Sequence, residues 1–270
     1  MTAGDTFPRV APLWGELRYG GELARLLARE ALWRPRAGAA APPVLLIPGF
    51  MAGDSSLRVL RRWLERRGHR VAVSGLRANV ECAGQLVARM QAQLRSLAAE
   101  QGRPVFLIGQ SRGGAIARSL AVREPQATCG LVMLGSPVCD PLAVSAPVLG
   151  TVALLARLGD LGLPGVLSSR CWDGECCAAL RGEMSEPLAP HIRAVSVFSQ
   201  SDGIVDWRAC LDPHCEAVEV SSSHCGMSVH PQVYELLARV LADRTETPRA
   251  PAARPRRRPR GVSSAAEAVG

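Results

Sequence analysis

The stretch Pro104-Val-Phe-Leu-Ile-Gly-Gln-Ser-Arg-Gly-Gly114 decides the fold of this chain. Its apolar run, residues 105–108, is short and β-rich, which predicts a strand buried on both faces. A helical spacing of apolar residues follows at once over residues 115–121. Between the two stands Gly109-Gln-Ser-Arg-Gly113. A Gly-x-Ser-x-Gly segment between a strand and a helix is typical of a nucleophile elbow.

The elbow predicts a specific environment for Ser111. The turn is so tight that the serine takes a strained backbone conformation, and Gly109 and Gly113 let the helix pass close to the strand. Ser111 then projects at the carboxyl end of the sheet, beside unpaired N–H groups of the helix, where an oxyanion is stabilised. The alternative is a glycine-rich turn in which the serine is incidental.

Strands alternate with helices along the rest of the chain. This alternation predicts an α/β protein with a mainly parallel, doubly wound sheet of about six strands, covered by helices on both faces. Besides the elbow strand, the predicted strands are Val44–Ile47, Arg70–Val73, Leu131–Leu134, Val195–Ser199 and Ala217–Val220.

A serine nucleophile needs a base, and His224 is the best candidate among the five histidines. It follows the last predicted strand, so it lies at the same edge of the sheet as Ser111. His69 precedes a strand and is expected at the opposite edge. The alternative for His224 is a histidine in a solvent-facing loop. The remaining histidines stand next to prolines in predicted loops: His191, His214 and His230.

Two carboxylates could orient this base, Asp202 and Asp206, both in Phe198-Ser-Gln-Ser-Asp-Gly-Ile-Val-Asp-Trp207. Asp202 comes directly after the strand, where a short polar loop can direct a carboxylate to the neighbouring loop. Asp206 could instead cap the segment that starts at Trp207. We therefore favour Asp202 as the acid.

The order Ser111, Asp202, His224 resembles that of the α/β-hydrolase superfamily, and of compact bacterial serine lipases and esterases in particular. The resemblance covers about residues 40–243. The motifs that carry it are Pro48-Gly-Phe50, Gly109-Gln-Ser-Arg-Gly113, Ser201-Asp-Gly-Ile-Val205 and Ser223-His-Cys-Gly-Met227.

The resemblance implies that backbone N–H groups of Phe50 and Arg112 form the oxyanion hole. The family often has His-Gly where this chain has Pro48-Gly49, and Met or Leu in place of Arg112. Neither departure removes the hole, because backbone groups form it. For the side chain of Arg112 we expect a salt bridge at the surface.

Residues 138–192 form a long insertion at the place where lipase-like hydrolases have lids. Its first half, Leu142 to Leu167, is apolar, with Leu149, Val152, Leu155 and Leu158 at near-helical spacing. We predict a helical lid that suits an apolar acyl substrate. Ordinary helices packed on the core are the alternative.

These features predict a carboxylic ester hydrolase that works through an acyl-enzyme and needs no cofactor or metal. The alternatives are an acyltransferase on the same fold or, less favoured, a non-catalytic lipid-binding module. The expected partner is a small acyl ester or lipid. Oligomeric state and acyl chain length stay open.

Charge and composition favour a cytoplasmic enzyme with a basic tail. We predict a hydrolase domain over residues 1–245 and a disordered Arg/Pro/Ala-rich tail over 246–270. Of the net charge of +8, residues 249–270 account for +5, so the folded part gives no nucleic-acid signal. The tail could make weak peripheral contact with anionic membranes. No signal peptide or transmembrane segment is evident.

The nine cysteines are expected to be free thiols. Cys171 and Cys176 are separated by four residues, as are Cys210 and Cys215. Zinc ligands are usually closer, and no matching second pair is obvious, so no metal site is predicted. A structural zinc site, or a disulfide involving Cys171, Cys176 or Cys177, is the alternative.

Overall fold

Six parallel strands form the centre of the protein in a computed structural model, which describes residues 8–35 and 41–242. The predicted tail over 246–270 lies outside these residues. The strands are β1 (Val44–Ile47), β2 (Val71–Val73), β3 (Val105–Gln110), β4 (Thr128–Leu134), β5 (Arg193–Phe198) and β6 (Glu216–Glu219).

The strand order is β2-β1-β3-β4-β5-β6, and every neighbouring pair is parallel. Strand β2 lies on one side of β1, and β3 lies on the other side. Strands β4, β5 and β6 then follow in sequence beyond β3. The strand order therefore reverses between β1 and β3. In open α/β sheets, ligands bind outside the carboxyl ends of the strands at such a switch point. The predicted doubly wound sheet is confirmed.

Helices cover both faces of this sheet. They are α1 (Tyr19–Ala28), α2 (Arg58–Arg66), α3 (Ala83–Gln101), α4 (Arg112–Arg123), α5 (Ala146–Asp160), α6 (Arg170–Asp173), α7 (Ala178–Glu183) and α8 (Pro231–Ala242). Short 3₁₀ turns, such as Leu13–Arg18, connect several of them. None of the helices in the described ranges combines the length and apolar character that crossing a membrane requires.

Two apolar cores lie on opposite faces of the sheet, and each is covered by its own set of helices. Leu26 of α1, Trp63 of α2 and Tyr234 of α8 are fully buried on one face, and the rings of Trp63 and Tyr234 meet edge to face at 4.9 Å. Met90 of α3 and Ile116 of α4 are fully buried on the other face. The four inner strands are thus buried on both sides, as their apolar runs require, while the edge strand β6 is mostly exposed.

The segment between β4 and β5 is helical, with α5, α6 and α7 in succession. Within the predicted apolar stretch 142–167, the helix itself is α5. Only Ala156 of α5 is fully buried, so this helix presents most of its apolar residues to partly open surroundings. Helix α5 does not belong to either of the two apolar cores on the faces of the sheet.

We expect Gly113→Ala to destabilise the fold and Gly150→Ala to leave it unchanged or stabilise it. A Cβ at Gly113 would lie 2.3 Å from the carbonyl oxygen of Ile47. Such overpacking typically costs about 1–3 kcal/mol. Gly150 lies inside α5 with nothing within 4 Å, so alanine gains up to about 1 kcal/mol of helix propensity. Urea unfolding of both variants measures the difference. Equal stabilities would show that α4 can move away from β1 at little cost.

Candidate active site

Ser111 lies between β3 and α4 with a strained backbone, at φ 53° and ψ −127°. Among the described non-glycine residues, only Ser111 and Met51 have positive φ. The surroundings hold this conformation. The N–H of Ser111 donates to the carbonyl of Leu134 at 2.7 Å, and a Cβ at Gly109 would lie 2.3 Å from the carbonyl oxygen of Gly113. Strain of this kind persists where neighbouring structure enforces it, often at functional sites.

The turn after β1 packs directly against this serine. A Cβ at Gly49 would lie 3.1 Å from the Cβ of Ser111. The turn is held by Asn79, whose carbonyl accepts from the N–H of Met51 at 3.2 Å and whose side-chain amide donates to the Pro48 carbonyl at 2.8 Å. Phe50, in the middle of this turn, lines the same cavity as Ser111.

Arg112 is the first residue of α4, so its N–H has no acceptor within the helix. The expectation of a surface salt bridge for its side chain is wrong. The guanidinium donates instead to the carbonyl and side-chain oxygens of Asn79 and to the carbonyl of Glu81. The acceptors of Arg112 are therefore neutral oxygens and not a carboxylate. The reason is that the Arg112 side chain points into the protein, beside the turn after β1 that Asn79 holds.

His224 and Asp202 form a buried pair. The Nδ1 of His224 lies 2.6 Å from Oδ2 of Asp202, and the two residues are only 5% and 2% exposed. The other oxygen of Asp202 accepts from the N–H groups of Ile204 and Val205 at 2.8 and 2.7 Å. When Nδ1–H donates to the carboxylate, Nε2 is left as an acceptor, which is the tautomer a general base needs.

Asp206 has a different role. Its carboxylate accepts from the backbone N–H of Arg208 at 3.1 Å and from that of Arg9 at 2.9 Å. It caps the short 3₁₀ helix Trp207–Cys210, which is the alternative that its position predicted. The structure thus brings Asp202, and not Asp206, to His224.

Ser111 and His224 line one cavity of about 680 Å³. Two contacts tie their loops together. The side-chain amide of Gln110 donates to the His224 carbonyl at 3.2 Å. A Cβ at Gly135 would lie 3.1 Å from the imidazole Nδ1 of His224, and Gly135 follows Leu134, which accepts the N–H of Ser111. The carboxyl ends of β3 and β4 therefore position both residues.

All five histidines lie in described parts of the chain, and only His224 lines this cavity. His69 contacts the Pro42 carbonyl, at the opposite edge as predicted. His191 and His214 contact the carbonyls of Pro125 and Ser185.

Two glutamates that the sequence did not single out hold the His224 loop. Glu16 accepts from the backbone N–H groups of His224 and Cys225, each at 2.9 Å. Glu22, which is 1% exposed, accepts from both the N–H and the hydroxyl of Ser223 at 2.8 Å. Both come from the first helical turns of the chain, about 200 residues away, and no local pattern signals the contact.

The surroundings of His224 act on its pKa in opposite directions. Burial lowers the pKa, while the charge of Asp202, its hydrogen bond to the ring and the charge of Glu16 raise it. The net result is a pKa above the ordinary value for histidine. The imidazolium is therefore stabilised inside the protein, as a base that accepts a proton during a reaction requires.

The segment between β4 and β5 supplies much of the remaining cavity lining. From α5 the lining residues are Val148, Thr151 and Val152, and from farther along the chain they include Leu167 and Leu180. Of the apolar stripe predicted to face the site, only Val152 does so. Leu149 packs instead beside Val144 and Val205. The side of α5 that faces the cavity is therefore not the side of the apolar stripe that the sequence spacing indicated.

One known protein family matches part of this sequence. The family described as "Serine aminopeptidase, S33" matches residues 62–166, which include Ser111 but neither Asp202 nor His224. This match covers less than half of the chain. No curated protein matches the sequence.

Several solved lipolytic enzymes have a similar structure. A lipase from Bacillus licheniformis aligns with a TM-score of 0.54 and 15% identity, over 77% of this chain and 94% of the lipase. A metagenome-derived lipolytic enzyme gives 0.54 and 19%, over 78% and 96%. Monoglyceride lipase from Saccharomyces cerevisiae gives 0.52 and 17%, over 79% and 88%. At these identities the likeness shows the fold, and the predicted α/β-hydrolase fold is confirmed.

We expect Asp202→Asn to lower the pKa of His224 and Asp206→Asn to leave it near the wild-type value. Only Asp202 supplies both the charge and the hydrogen bond that raise it. NMR titration of the imidazole protons measures the shift. A raised pKa favours the protonated folded form, so this stabilisation is complete below the unfolded-state pKa and is lost as pH rises through the folded-state pKa. Equal shifts in the two variants would contradict the pairing.

Proposed function

Because the chain has the α/β-hydrolase fold, we propose that it is a serine hydrolase of carboxylic esters with apolar acyl groups. One observation carries the proposal. The strained Ser111 turn opens into an apolar cavity that is also lined by His224, and His224 is oriented by a buried aspartate. A nucleophile, a base and an orienting acid in one place are the parts of a Ser-His-Asp triad.

In the proposed reaction, the hydroxyl of Ser111 attacks the ester carbonyl carbon and its proton passes to Nε2 of His224. The imidazolium is stabilised by Asp202 and then gives the proton to the departing alcohol, leaving an acyl-enzyme on Ser111. Water attacks this ester in the same way, with His224 as base, and the acid is released. Besides the ester and water, the proposed reaction uses only groups of the protein chain.

The developing oxyanion would be bound by the backbone N–H groups of Phe50 and Arg112. Phe50 lies in the turn packed against Ser111, and Arg112 begins α4, a helix of 12 residues. A helix N-terminus favours negative charge, and fixed donors in a site shielded from water need no reorganisation during the reaction.

The size and lining of the cavity favour an acyl chain over a small polar substrate. Its volume of about 680 Å³ is within the range of pockets that enclose small organic ligands. Apolar side chains from α5 and α7 line the cavity together with Ser111, among them Val148, Val152 and Leu180. Similar folds in proteins named as lipases agree with this class of substrate. We propose that α5 acts as the lid.

We expect Ser111→Ala to lower turnover of p-nitrophenyl butyrate by about 10⁴-fold or more, because the nucleophile is lost. Ser56→Ala is the matched control, since Ser56 lines the same cavity but its hydroxyl donates to the Gly53 carbonyl. A fluorophosphonate probe should label the wild type and the control but not Ser111→Ala.

Three results would overturn or redirect the proposal. Turnover or labelling that persists in Ser111→Ala would remove the serine mechanism. Faster cleavage of aminoacyl p-nitroanilides than of esters would make the protein a peptidase. Transfer of the acyl group to an added alcohol in preference to water would make it an acyltransferase.

We expect kcat/KM to rise from acetate to octanoate esters, because each buried CH₂ contributes about 0.8 kcal/mol. Val152→Ser should flatten this rise, since Val152 lines the cavity. Leu154→Ser is the control on the same helix, because Leu154 is 57% exposed and does not line the cavity. Kinetics across a series of p-nitrophenyl esters measure the effect. A profile unchanged in Val152→Ser would make α5 scaffold and not a lid.

A further inference from the structure

Four cysteine side chains from distant parts of the chain meet beside the cavity. Cys82 directly precedes α3, while Cys171, Cys176 and Cys177 belong to the segment between β4 and β5. Their four sulfur atoms all lie within 4.8 Å of one another. Cys82 and Cys177 are buried, Cys171 is half-buried and Cys176 is exposed. The group is at the protein surface but is mostly enclosed.

The spacing of the sulfur atoms has the dimensions of a metal site. Cys82 Sγ and Cys177 Sγ are 3.7 Å apart, Cys176 Sγ and Cys177 Sγ 3.9 Å, and Cys171 Sγ and Cys176 Sγ 4.0 Å. Zinc binds thiolate sulfur at about 2.3 Å in tetrahedral geometry, which places the sulfur atoms about 3.8 Å apart. A disulfide would need a pair of sulfur atoms at about 2.05 Å.

The start of α3 provides N–H groups for two of these sulfur atoms. The backbone N–H of Gln85 donates to Cys82, and that of Gly84 donates to Cys177. The approach is so close that a Cβ at Gly84 would lie 1.8 Å from the carbonyl oxygen of Cys176. The start of this 19-residue helix is the positive end of its dipole, which favours negative charge beside it.

A positive charge also lies near the cluster. The guanidinium of Arg112 interacts electrostatically with Cys82, Cys171 and Cys177, and it donates to the carbonyl of Glu81, which precedes Cys82. Four thiolates around one divalent cation leave the site negatively charged, so a fixed cation beside it is stabilising. A metal held there by four thiolates would give the charge of Arg112 a partner that the sequence did not indicate.

From these observations we propose that Cys82, Cys171, Cys176 and Cys177 bind a structural zinc ion. Four protein ligands fill a tetrahedral site and leave no position for water or substrate, which separates it from a catalytic zinc. The ion would join the start of α3 to the segment that lines the cavity. The sequence offered no obvious second pair to match Cys171 and Cys176; in the structure the group is completed by Cys82, which precedes Cys177 by 95 residues.

The first test is the zinc content of the untagged full chain by mass spectrometry of the dissolved metal. We expect about one zinc per chain in the wild type and nearly none in Cys82→Ser, Cys171→Ser or Cys176→Ser. Controls matched in exposure are Cys210→Ser for the buried ligand, Cys215→Ser for the half-buried one and Cys139→Ser for the exposed one. The controls should keep the zinc.

A second set of measurements uses only the wild-type protein, so it does not depend on whether the cysteine variants fold. Wild-type protein produced in cobalt-supplemented medium should show the thiolate-to-cobalt charge-transfer band and the visible bands of tetrahedral cobalt. Removal of zinc by a chelator should lower the Tm of the wild type, because a ligand bound only by the folded state stabilises it. Fluorophosphonate labelling of Ser111 should survive at temperatures where the protein stays folded.

Several outcomes would overturn the proposal. Wild-type protein without zinc and without cobalt–thiolate bands would do so, whether alkylation then finds four free thiols or a disulfide between Cys82 and Cys177. Zinc retained in Cys82→Ser would place the metal elsewhere. Loss of labelling at Ser111 on zinc removal, with the Tm unchanged, would contradict a structural role.

Discussion

The contact between the end of β3 and the first turn of α4 is the constraint on which the candidate site depends. At Gly109 the backbone of β3 approaches that of α4 so closely that there is no room for a Cβ, and Gly113 allows the same first turn of α4 to pack against the carbonyl of Ile47 at the end of β1. The chain can make this contact only by reversing direction sharply, and the reversal gives Ser111 its positive φ. The same turn leaves the first N–H groups of α4 beside the serine. The positions of the proposed nucleophile and of the proposed oxyanion site thus have a single structural cause.

Much of this arrangement was predictable because its signals are local. All six strands were predicted to within a few residues. The signal is strongest for the four inner strands, because strands buried on both faces must be apolar throughout, whereas β6 is mostly exposed. Parallel strands also end at one edge of the sheet, so residues directly after them, such as Ser111, Asp202 and His224, had to come close together. The choice of Asp202 over Asp206 followed from its position on the turn, and the hydrogen bond to His224 agrees with it.

Contacts between distant segments were not predictable in this way. Glu16 and Glu22 looked like ordinary charges on an early helix, yet both bind the loop that carries His224. Cys82 has no spacing relation to the other three cysteines, because its position is set by the packing of α3. The direction of the Arg112 side chain depends on Asn79, which lies on a separate loop. In each case the partner is fixed by tertiary packing, which no local pattern records.

The hydrogen bond that Glu16 accepts from the backbone N–H of His224 joins residues that are 208 positions apart, and this separation has a consequence during synthesis. Ribosomes add about 5–20 residues per second, so Glu16 and Glu22 wait roughly 10–40 s before the residues of the His224 loop exist. Until then Glu22, which is buried in the finished protein, lacks the hydrogen bonds that Ser223 donates to it. A nascent chain that stops before residue 223 can form most of the sheet but cannot complete the histidine loop. Synthesis past Cys225 is therefore needed before the loop of the proposed base can be held in place, and a chain interrupted earlier lacks these contacts.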